Sequence, residues 1–355
     1  MDPLELVDMV YVPHLEEDEE GLHLASSDED YRYMLGGSPA SVVLTLMTEP
    51  INGFYVTESD VLVDQIDLSY DGESGTESVV ADHETIKEYL RDNGPLGVGV
   101  LAELNTGDFH MTRGYMTLYY FEEFTDHMVT IVGYDDDFPA RAFMHDVEND
   151  GAWLVQNSWG DHSGNNGYFW LSYESFIESP GSIVISNDYA DAFSYSHMVT
   201  EQVSSGDVTS VASVYDHEGV LSAVGTDTFS TGATITVEIY EGEFGELLAS
   251  KTETFEWPGY HTVELDEDIS VQDYTVVVRS DSQIAFELRS EGDNVYTYTD
   301  EDGFAAGSRI ISYSLPGQSF IETGDGWLDV TTEEAQARFA DEDGIADPLI
   351  VLLFK

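Results

Sequence analysis

The sequence has no cysteine among its 355 residues. Structural disulfides and thiolate metal ligands are therefore excluded, although this absence does not identify the compartment in which the protein works. A cysteine nucleophile is excluded as well, so thiol-based covalent chemistry would need a residue that this sequence does not contain.

Basic residues are scarce: 11 Lys and Arg stand against 71 Asp and Glu, and the formal net charge is -60. This charge disfavours nucleic acid and anionic membrane surfaces as partners. A hydrophobic share of 42%, with 21 Tyr and 17 Phe, predicts a folded protein and not an acidic disordered tail. Two explanations of the acidity stay open, a solvated self-repelling surface and adaptation to high salt, with calcium chelation as a weaker third.

Long apolar runs are also missing from the sequence. No stretch approaches the roughly 20 apolar residues of a membrane-spanning helix, so no membrane span is predicted. The first five residues lack the basic start and apolar centre of a signal peptide, so the sequence by itself predicts no export signal.

Strand and turn signals divide the chain into two predicted domains, residues 1–190 and 191–355. Helices are predicted over 40–47, with Ser38 as the cap, and over 82–91, with Asp82 as the cap. Strand signals are dense from 96 to 186. After 192, short alternating runs separated by Gly, Asp and Ser predict a β-sandwich with little helix before 333–338.

A histidine and an asparagine occupy comparable positions in the first predicted domain. His127 opens the apolar run 127–134, and Asn157 follows the apolar run 152–155. A histidine activates a nucleophile within hydrogen-bond reach, and a side-chain amide can hold its ring in one tautomer. If the two strands are adjacent and antiparallel, these side chains meet, and the indole of Trp159 would shield the amide. The alternative is a buried strand histidine with an unrelated asparagine.

The order of these motifs resembles the papain-like cysteine peptidase family, especially its bacterial and archaeal members with an appended lectin-like domain. The matching blocks are 93–100, Phe109 with 114–115, 126–127 with 132–134, 157–160 and 167–169. The resemblance implies an α+β protein: a partial papain-like domain, with the antiparallel β-barrel half and remnants of the helical half, followed by an all-β sandwich. It also implies His127 as general base and acid, Asn157 as its orienting partner and Trp159 as the shield.

The activity implied by the resemblance is hydrolysis of a polypeptide substrate through a thioacyl intermediate, without a cofactor, at an extracellular or cell-surface location. The family's oxyanion-hole Gln and its Cys-Trp helix have no counterpart here. In this family the nucleophile precedes the histidine and asparagine by about 130–150 residues, which points to the neighbourhood of Met1 or before it. Ser41 is too close to His127 for that spacing, so it is predicted to be an ordinary helix residue and no nucleophile is assigned.

Three explanations account for the missing nucleophile: a truncated gene model or clone, a chain cut from a longer precursor, or a non-catalytic homologue. The last would act as an extracellular protein-binding or carbohydrate-binding module. Drift has no physical reason to retain a base, its orienting partner and the shielding indole together. Their joint presence therefore favours the first two explanations.

The second predicted domain resembles the lectin-like module attached to such peptidases. The motifs that carry this resemblance are 215–216, 221–225, 239–240, 259–263, 317–320 and Trp327. Aromatic faces suit the apolar faces of sugars, so Trp257, Tyr260 and Trp327, with His261, are candidate carbohydrate-binding residues. The alternative is that they are core and turn residues. The Asp-rich turns at 135–137, 300–303 and 341–344 lack the full spacing of a calcium loop, so no metal site is predicted.

Overall fold

The computed structural model describes residues 15–18, 21–24, 47, 50, 52–66, 79–101, 110–112, 115–118, 125, 127–143, 147–162, 164–196, 202–204, 208–290, 295–299, 305–310, 314–339 and 344–355. The helices among them are α1 (His83–Asp92), a short 3-10 helix (Ala140–Ala142) and α2 (Glu333–Phe339). The strands are β1 (Leu15–Asp18), β2 (Gly21–Leu24), β3 (Tyr55–Val61), β4 (Leu96–Val100), β5 (His110–Thr112), β6 (Tyr115–Leu118), β7 (His127–Asp135), β8 (Ala152–Gln156), β9 (Tyr168–Ser172), β10 (Glu178–Ser186), β11 (Asp191–Phe193), β12 (Gln202–Ser204), β13 (Ser210–Tyr215), β14 (Gly219–Thr228), β15 (Thr234–Glu241), β16 (Leu247–Thr254), β17 (Gly259–Val271), β18 (Tyr274–Ser280), β19 (Ala285–Ser290), β20 (Val295–Thr299), β21 (Ala305–Ile310), β22 (Ser319–Thr323), β23 (Gly326–Asp329), β24 (Gly344–Pro348) and β25 (Val351–Phe354).

Contacts within the chain divide it into two compact units. The middle unit comprises residues 60–66 and 77–182, and the carboxyl-terminal unit comprises 183–355 together with the described residues up to Ser59. The break after residue 182 lies close to the boundary predicted at 190. The residues before Ser59 were predicted to belong to the first domain. In the structure they belong to the carboxyl-terminal unit, where strand β3 pairs with β17 through Glu58 and His261.

The middle unit is built on a sheet with the strand order β10-β4-β7-β8-β9-β6-β5. Its pairs are antiparallel except for β6 and β9, which are parallel. Alternate residues of the central strands are buried, among them Val98, Val129, Ile131 and Val155. These strands follow the predicted runs to within a few residues, which confirms the strand predictions from 96 to 186.

Helix α1 begins and ends where the sequence predicts. The carboxylate of Asp82 accepts a hydrogen bond from the Thr85 backbone N–H at 2.9 Å, which caps the first turn. The Asn93 backbone N–H closes the last turn on the Tyr89 carbonyl, and Gly94 follows at a φ of +106°, a left-handed conformation that favours glycine. The predicted helix over 40–47 falls outside the described residues, apart from Met47.

An ion-paired lysine anchors α1 in the middle unit. Lys87 is 5% exposed, and its ammonium lies 2.5 Å from the Asp136 carboxylate, just beyond β7, and 2.8 Å from Glu84. Burial alone would lower the pKa of Lys87, but hydrogen bonds to Asp136 and Glu84 outweigh it and raise that pKa. The Tyr173 hydroxyl donates to the same Asp136 carboxylate at 2.8 Å. The helix is thereby fixed to the residues just beyond β7 and β9, at the end of β7 opposite to His127.

The carboxyl-terminal unit is a β-sandwich. One sheet has the order β16-β15-β18-β13-β22-β23, and the facing strands have the order β11-β25-β14-β17-β3. A single core cluster draws on both layers, with Val237, Val276 and Val211 from the first and Val224 and Leu352 from the second. The predicted all-β sandwich is confirmed, and with it the α+β class of the whole chain.

Helix α2 also confirms the sequence pattern, and it contributes Ala335 and Phe339 to the sandwich core. The 3-10 helix Ala140–Ala142 lies in the connection between β7 and β8. Among the helices formed by the described residues, none has the length and apolarity needed to span a bilayer.

Candidate active site

The two strand ends predicted to meet do so in the structure. His127 is the first residue of β7, and Asn157 directly follows β8, which pairs with β7 in antiparallel fashion. The Nε2 atom of His127 lies 2.9 Å from the Oδ1 atom of Asn157. Asn157 is 9% exposed, and His127 is half-buried. A buried amide thus holds one nitrogen of the ring, and the other nitrogen has no hydrogen-bond partner among the described residues.

The orientation of the Asn157 amide follows from its hydrogen bonds. The Ser158 backbone N–H donates to Oδ1 at 2.8 Å, so the atom facing both Ser158 and His127 must be the acceptor oxygen. Because this oxygen can only accept, Nε2 of His127 carries the proton of that hydrogen bond. In the neutral ring Nδ1 then keeps its lone pair, which is the state needed of a general base.

A glycine allows two backbone segments of the loop that carries Asn157 to approach each other closely. The Asn157 backbone N–H donates to the Gly167 carbonyl at 2.8 Å. Gly167 has a φ of +85°, and a Cβ there would lie 3.3 Å from the Gly160 carbonyl oxygen. A larger residue would be strained by its backbone angle and crowded by that oxygen, so the glycine allows the loop to return to Asn157.

Trp159 contacts the histidine itself. The indole and imidazole rings stack with centroids 4.8 Å apart and an interplanar angle of 26°. The sequence predicts the indole over the Asn157 amide, and the structure places it on the face of the imidazole that this amide holds. A stacked indole covers that face of the imidazole and shields it from water.

The candidate carbohydrate-binding residues differ in their accessibility. Tyr260 and His261 are each 1% exposed, and Tyr260 belongs to a core cluster with Tyr189 and Leu353. A ring buried to this degree offers no face to a ligand, so Tyr260 and His261 drop out of the candidates. Trp257 and Trp327 are half-buried, and Trp327 stacks on Phe244 at 5.1 Å.

The other candidates from the sequence are Ser41, Phe109 and the Asp-rich turns. Ser41, Phe109 and the acidic segments at 300–303 and 341–343 lie outside the described residues. The turn at 135–137 is described, and there Asp136 is paired with Lys87 while the Asp135 carboxylate accepts the Asp137 backbone N–H at 3.0 Å. This turn therefore has local partners for two of its carboxylates.

Sequence reasoning missed a polar contact next to the histidine. The Thr125 hydroxyl donates a hydrogen bond to the Glu178 carboxylate, over Gly99 of β4. Glu178 is far from His127 in sequence and opens β10, so no local motif links them. The only signal was the position of Thr125, two residues before the histidine.

Comparisons with known protein families give a match for each of two parts of the chain. Residues 57–186 match the family model described as papain family cysteine protease, and residues 190–340 match the one described as lectin like domain. No curated protein matches the sequence.

Two solved structures are similar over most of the chain. A cysteine-to-alanine variant of the clostridial cysteine protease Cwp84 after propeptide cleavage has a TM-score of 0.64 and 20% identity, over 90% of this chain and 82% of that one. The cysteine protease and lectin-like domains of Cwp84, a surface layer associated protein of Clostridium difficile, give a TM-score of 0.60 and 19% identity, over 90% of this chain and 73% of that one. At such identities the likeness shows the fold alone.

Proposed function

We propose that this chain, which combines a papain-family domain with a lectin-like domain, carries the base half of a cysteine peptidase site. The observation that carries the proposal is the hydrogen bond from His127 Nε2 to the Asn157 amide oxygen, whose direction is fixed by Ser158. This arrangement leaves Nδ1 of His127 as the atom that would face a nucleophile. Peptide hydrolysis then requires a thiolate from outside these 355 residues.

The chemistry follows from that geometry. Nδ1 takes the thiol proton, and the thiolate attacks the carbonyl carbon of the scissile bond, whose C=O electrons move onto oxygen. As the C=O re-forms and the C–N bond breaks, Nδ1 gives its proton to the leaving amine, and a thioester remains. Water then attacks the thioester carbon while Nδ1 accepts its proton. The C–S bond then breaks as the C=O re-forms, which releases the acid product and restores the thiolate and imidazolium.

The chain alone is expected to be inactive, because His127 has no thiol to activate. Purified protein should give no detectable hydrolysis of a fluorogenic peptide library and no adduct with a thiol-directed epoxide or iodoacetamide in intact-mass spectra. Turnover that is lost on Ser41→Ala would contradict this expectation and would make Ser41 the nucleophile.

The competing proposal is a non-catalytic homologue that acts as a protein-binding or carbohydrate-binding module, and the absence of cysteine is the observation that favours it. The two proposals differ in what the genome encodes ahead of Met1. An in-frame Gln followed by a Gly-x-Cys-Trp segment supports the peptidase. A stop codon with a ribosome-binding site supports the binding protein.

For the lectin-like domain we propose carbohydrate binding through its accessible indoles. Trp327 presents a stacked aromatic pair with Phe244, and the Arg279 guanidinium lies 5.8 Å from its ring centroid. Trp327→Ala should weaken binding to a neutral oligosaccharide array about tenfold, the loss expected of one aromatic contact. Trp257→Ala removes the other half-buried indole and is tested on the same array. If both variants bind the array as the parent does, these residues are not the contacts.

We further propose an extracellular or cell-surface location. The support is that Cwp84 is described as surface layer associated. Protease treatment of intact cells of the source organism should remove the protein, while a cytoplasmic marker survives. Protection of the protein until the cells are lysed would contradict this location.

A further inference from the structure

The outward face of one sheet of the β-sandwich places a carboxylate directly beside an indole. Ile321 and Val278 belong to the sandwich core, and side chains alternate along a strand, so their chain neighbours Glu322 and Arg279 point outward. Glu322 on β22 pairs with Trp327 on β23, which puts both side chains on this outward face. We call this surface the Trp327 face; it comprises Glu238, Phe244, Arg279, Glu322 and Trp327.

The aromatic part of the Trp327 face is held by a strained turn. Phe244, between β15 and β16, has a φ of +53°, a left-handed conformation that a bulky residue rarely adopts. Its backbone N–H donates to the Thr275 hydroxyl at 3.0 Å, and that hydroxyl donates to the Gly242 carbonyl at 2.7 Å. The turn thereby stacks the ring of Phe244 on Trp327, with an interplanar angle of 25°. Strain of this kind is typical of ligand-binding positions.

The charged part of the Trp327 face carries one net negative charge, because two carboxylates share one guanidinium. Arg279 donates from Nε to Glu238 at 3.0 Å and from Nη1 to Glu322 at 2.5 Å. Glu238 also accepts the Tyr240 hydroxyl at 3.1 Å. The Glu322 side chain is 38% exposed against 20% for Glu238. Glu322 is therefore the more accessible carboxylate, and it is the one that adjoins the indole.

We infer that the Trp327 face binds a sugar that carries a free amino group, with the apolar face of the sugar ring on Trp327 and its ammonium against Glu322. This inference rests on the proposed carbohydrate binding by the lectin-like domain and names the class of sugar. Stacking on the indole is open to any pyranose, whereas a charge-assisted hydrogen bond to Glu322 is open only to a cationic one. A uronic acid would be repelled.

The test must separate this contact from the attraction that a net charge of -60 exerts on any cation. In 1 M KCl that general attraction is screened within about 3 Å, whereas a hydrogen-bonded contact between charges persists. Two ligands are compared under this condition, a trisaccharide of glucosamine and its N-acetylated form, which keeps the sugar rings without the charge.

The indole N–H signal of Trp327 reports on the site itself. Protein labelled with ¹⁵N-tryptophan is titrated with each trisaccharide, and the signal is assigned with Trp327→Phe. We expect the glucosamine trisaccharide to shift this signal at about tenfold lower concentration than the N-acetylated form, the effect of one charge-assisted hydrogen bond. Raising the pH until the sugar amine is neutral should remove the preference, because the ligand then loses the charge that the carboxylate recognises.

Variants separate the local carboxylate from the others. Glu322→Gln keeps the shape of the side chain and should abolish the preference for the amino sugar. Glu253→Gln removes one exposed carboxylate from β16 and should leave the preference intact. Phe244→Ala removes the ring stacked on Trp327 and should weaken both trisaccharides alike. Thermal melts establish that each variant is folded, and the pH titration of the parent decides the matter if Glu322→Gln is not.

The outcomes distinguish the inference from the proposal on which it rests. If both trisaccharides shift the Trp327 signal equally, or if the preference survives in Glu322→Gln or with the neutral amine, the face does not select amino sugars and the proposed carbohydrate binding stands. If neither trisaccharide nor a glucose trisaccharide shifts the signal, carbohydrate binding at Trp327 fails and the inference fails with it.

Discussion

Peptidase activity should appear when a segment carrying the papain family's Gln and Cys-Trp helix is fused ahead of Met1, and it should depend on His127. The new thiol would face Nδ1, because Nε2 is already bound to Asn157 at 2.9 Å. His127→Ala in this fusion should lower kcat/KM by about 10⁴-fold or more, since thiolate formation and amine protonation both use that ring. The measurement is hydrolysis of a fluorogenic peptide, with the active-site thiol titrated by an epoxide inhibitor.

Substitution of the other two site residues in the same fusion should lower the activity by smaller factors. Asn157→Ala should cost on the order of 10²-fold, because it frees the ring to rotate without removing the proton carrier. Trp159→Ala should cost about tenfold, through the loss of the stacked indole. A folded fusion whose hydrolysis is indifferent to His127 would show that the catalytic residue has been misassigned.

Raising KCl from 0.05 to 2 M should raise the melting temperature by several degrees. At low ionic strength the net charge of -60 destabilises the compact state by self-repulsion, and added salt shortens the screening length from about 10 Å at 0.1 M to about 3 Å at 1 M. Salt also weakens attractive pairs such as Lys87–Asp136 and Arg279–Glu238. With 11 basic residues against 71 acidic ones, repulsion outweighs these pairs, so the net effect of salt is stabilising.

The shape of the salt curve separates screening from strengthened apolar burial. Screening is nearly complete by 0.5 M, so most of the rise should occur below that concentration. Sulfate strengthens burial of apolar surface beyond screening, and it should add a further linear rise that chloride lacks. A flat profile in KCl would mean that the acidic side chains are dispersed well enough not to repel, and that adaptation to salt is not needed to explain them.

The sequence predicted the parts of the fold whose signal is local. The helix that begins after Asp82 and ends before Gly94 has a cap and a terminator within its own segment. The strand starting at His127 has a continuous apolar run. The pairing of His127 with Asn157 was predictable because both stand at strand ends in an order that a known family uses.

What the sequence did not predict depends on contacts between distant segments. Strand β3 pairs with β17 through Glu58 and His261, about two hundred positions apart, and no periodic pattern encodes that partner. The sequence around Tyr260 is typical of an exposed turn, yet the packing of β17 against Leu353 buries this side chain. Such outcomes follow from which face of a strand meets the core, which is decided by the whole sheet.

The sequence also did not predict which neighbouring side chain a loop residue contacts. The spacing of Trp159 from Asn157 predicts proximity, but it does not predict that the indole stacks on the imidazole of His127. The hydrogen bond between Thr125 and Glu178 shows the same limit, because these residues come together through the pairing of β4 with both β7 and β10.

The tautomer of His127 tests the arrangement of the site most directly, and it is measurable in the chain without any added nucleophile. Two-bond ¹H–¹⁵N correlation spectra of the histidine rings, with His127 assigned by His127→Gln, report which nitrogen carries the proton in the neutral ring. We predict protonation at Nε2 and a lone pair at Nδ1, with the population becoming mixed in Asn157→Ala. A proton at Nδ1, or a tautomer ratio that Asn157→Ala does not change, would contradict the role assigned to the His127–Asn157 pair.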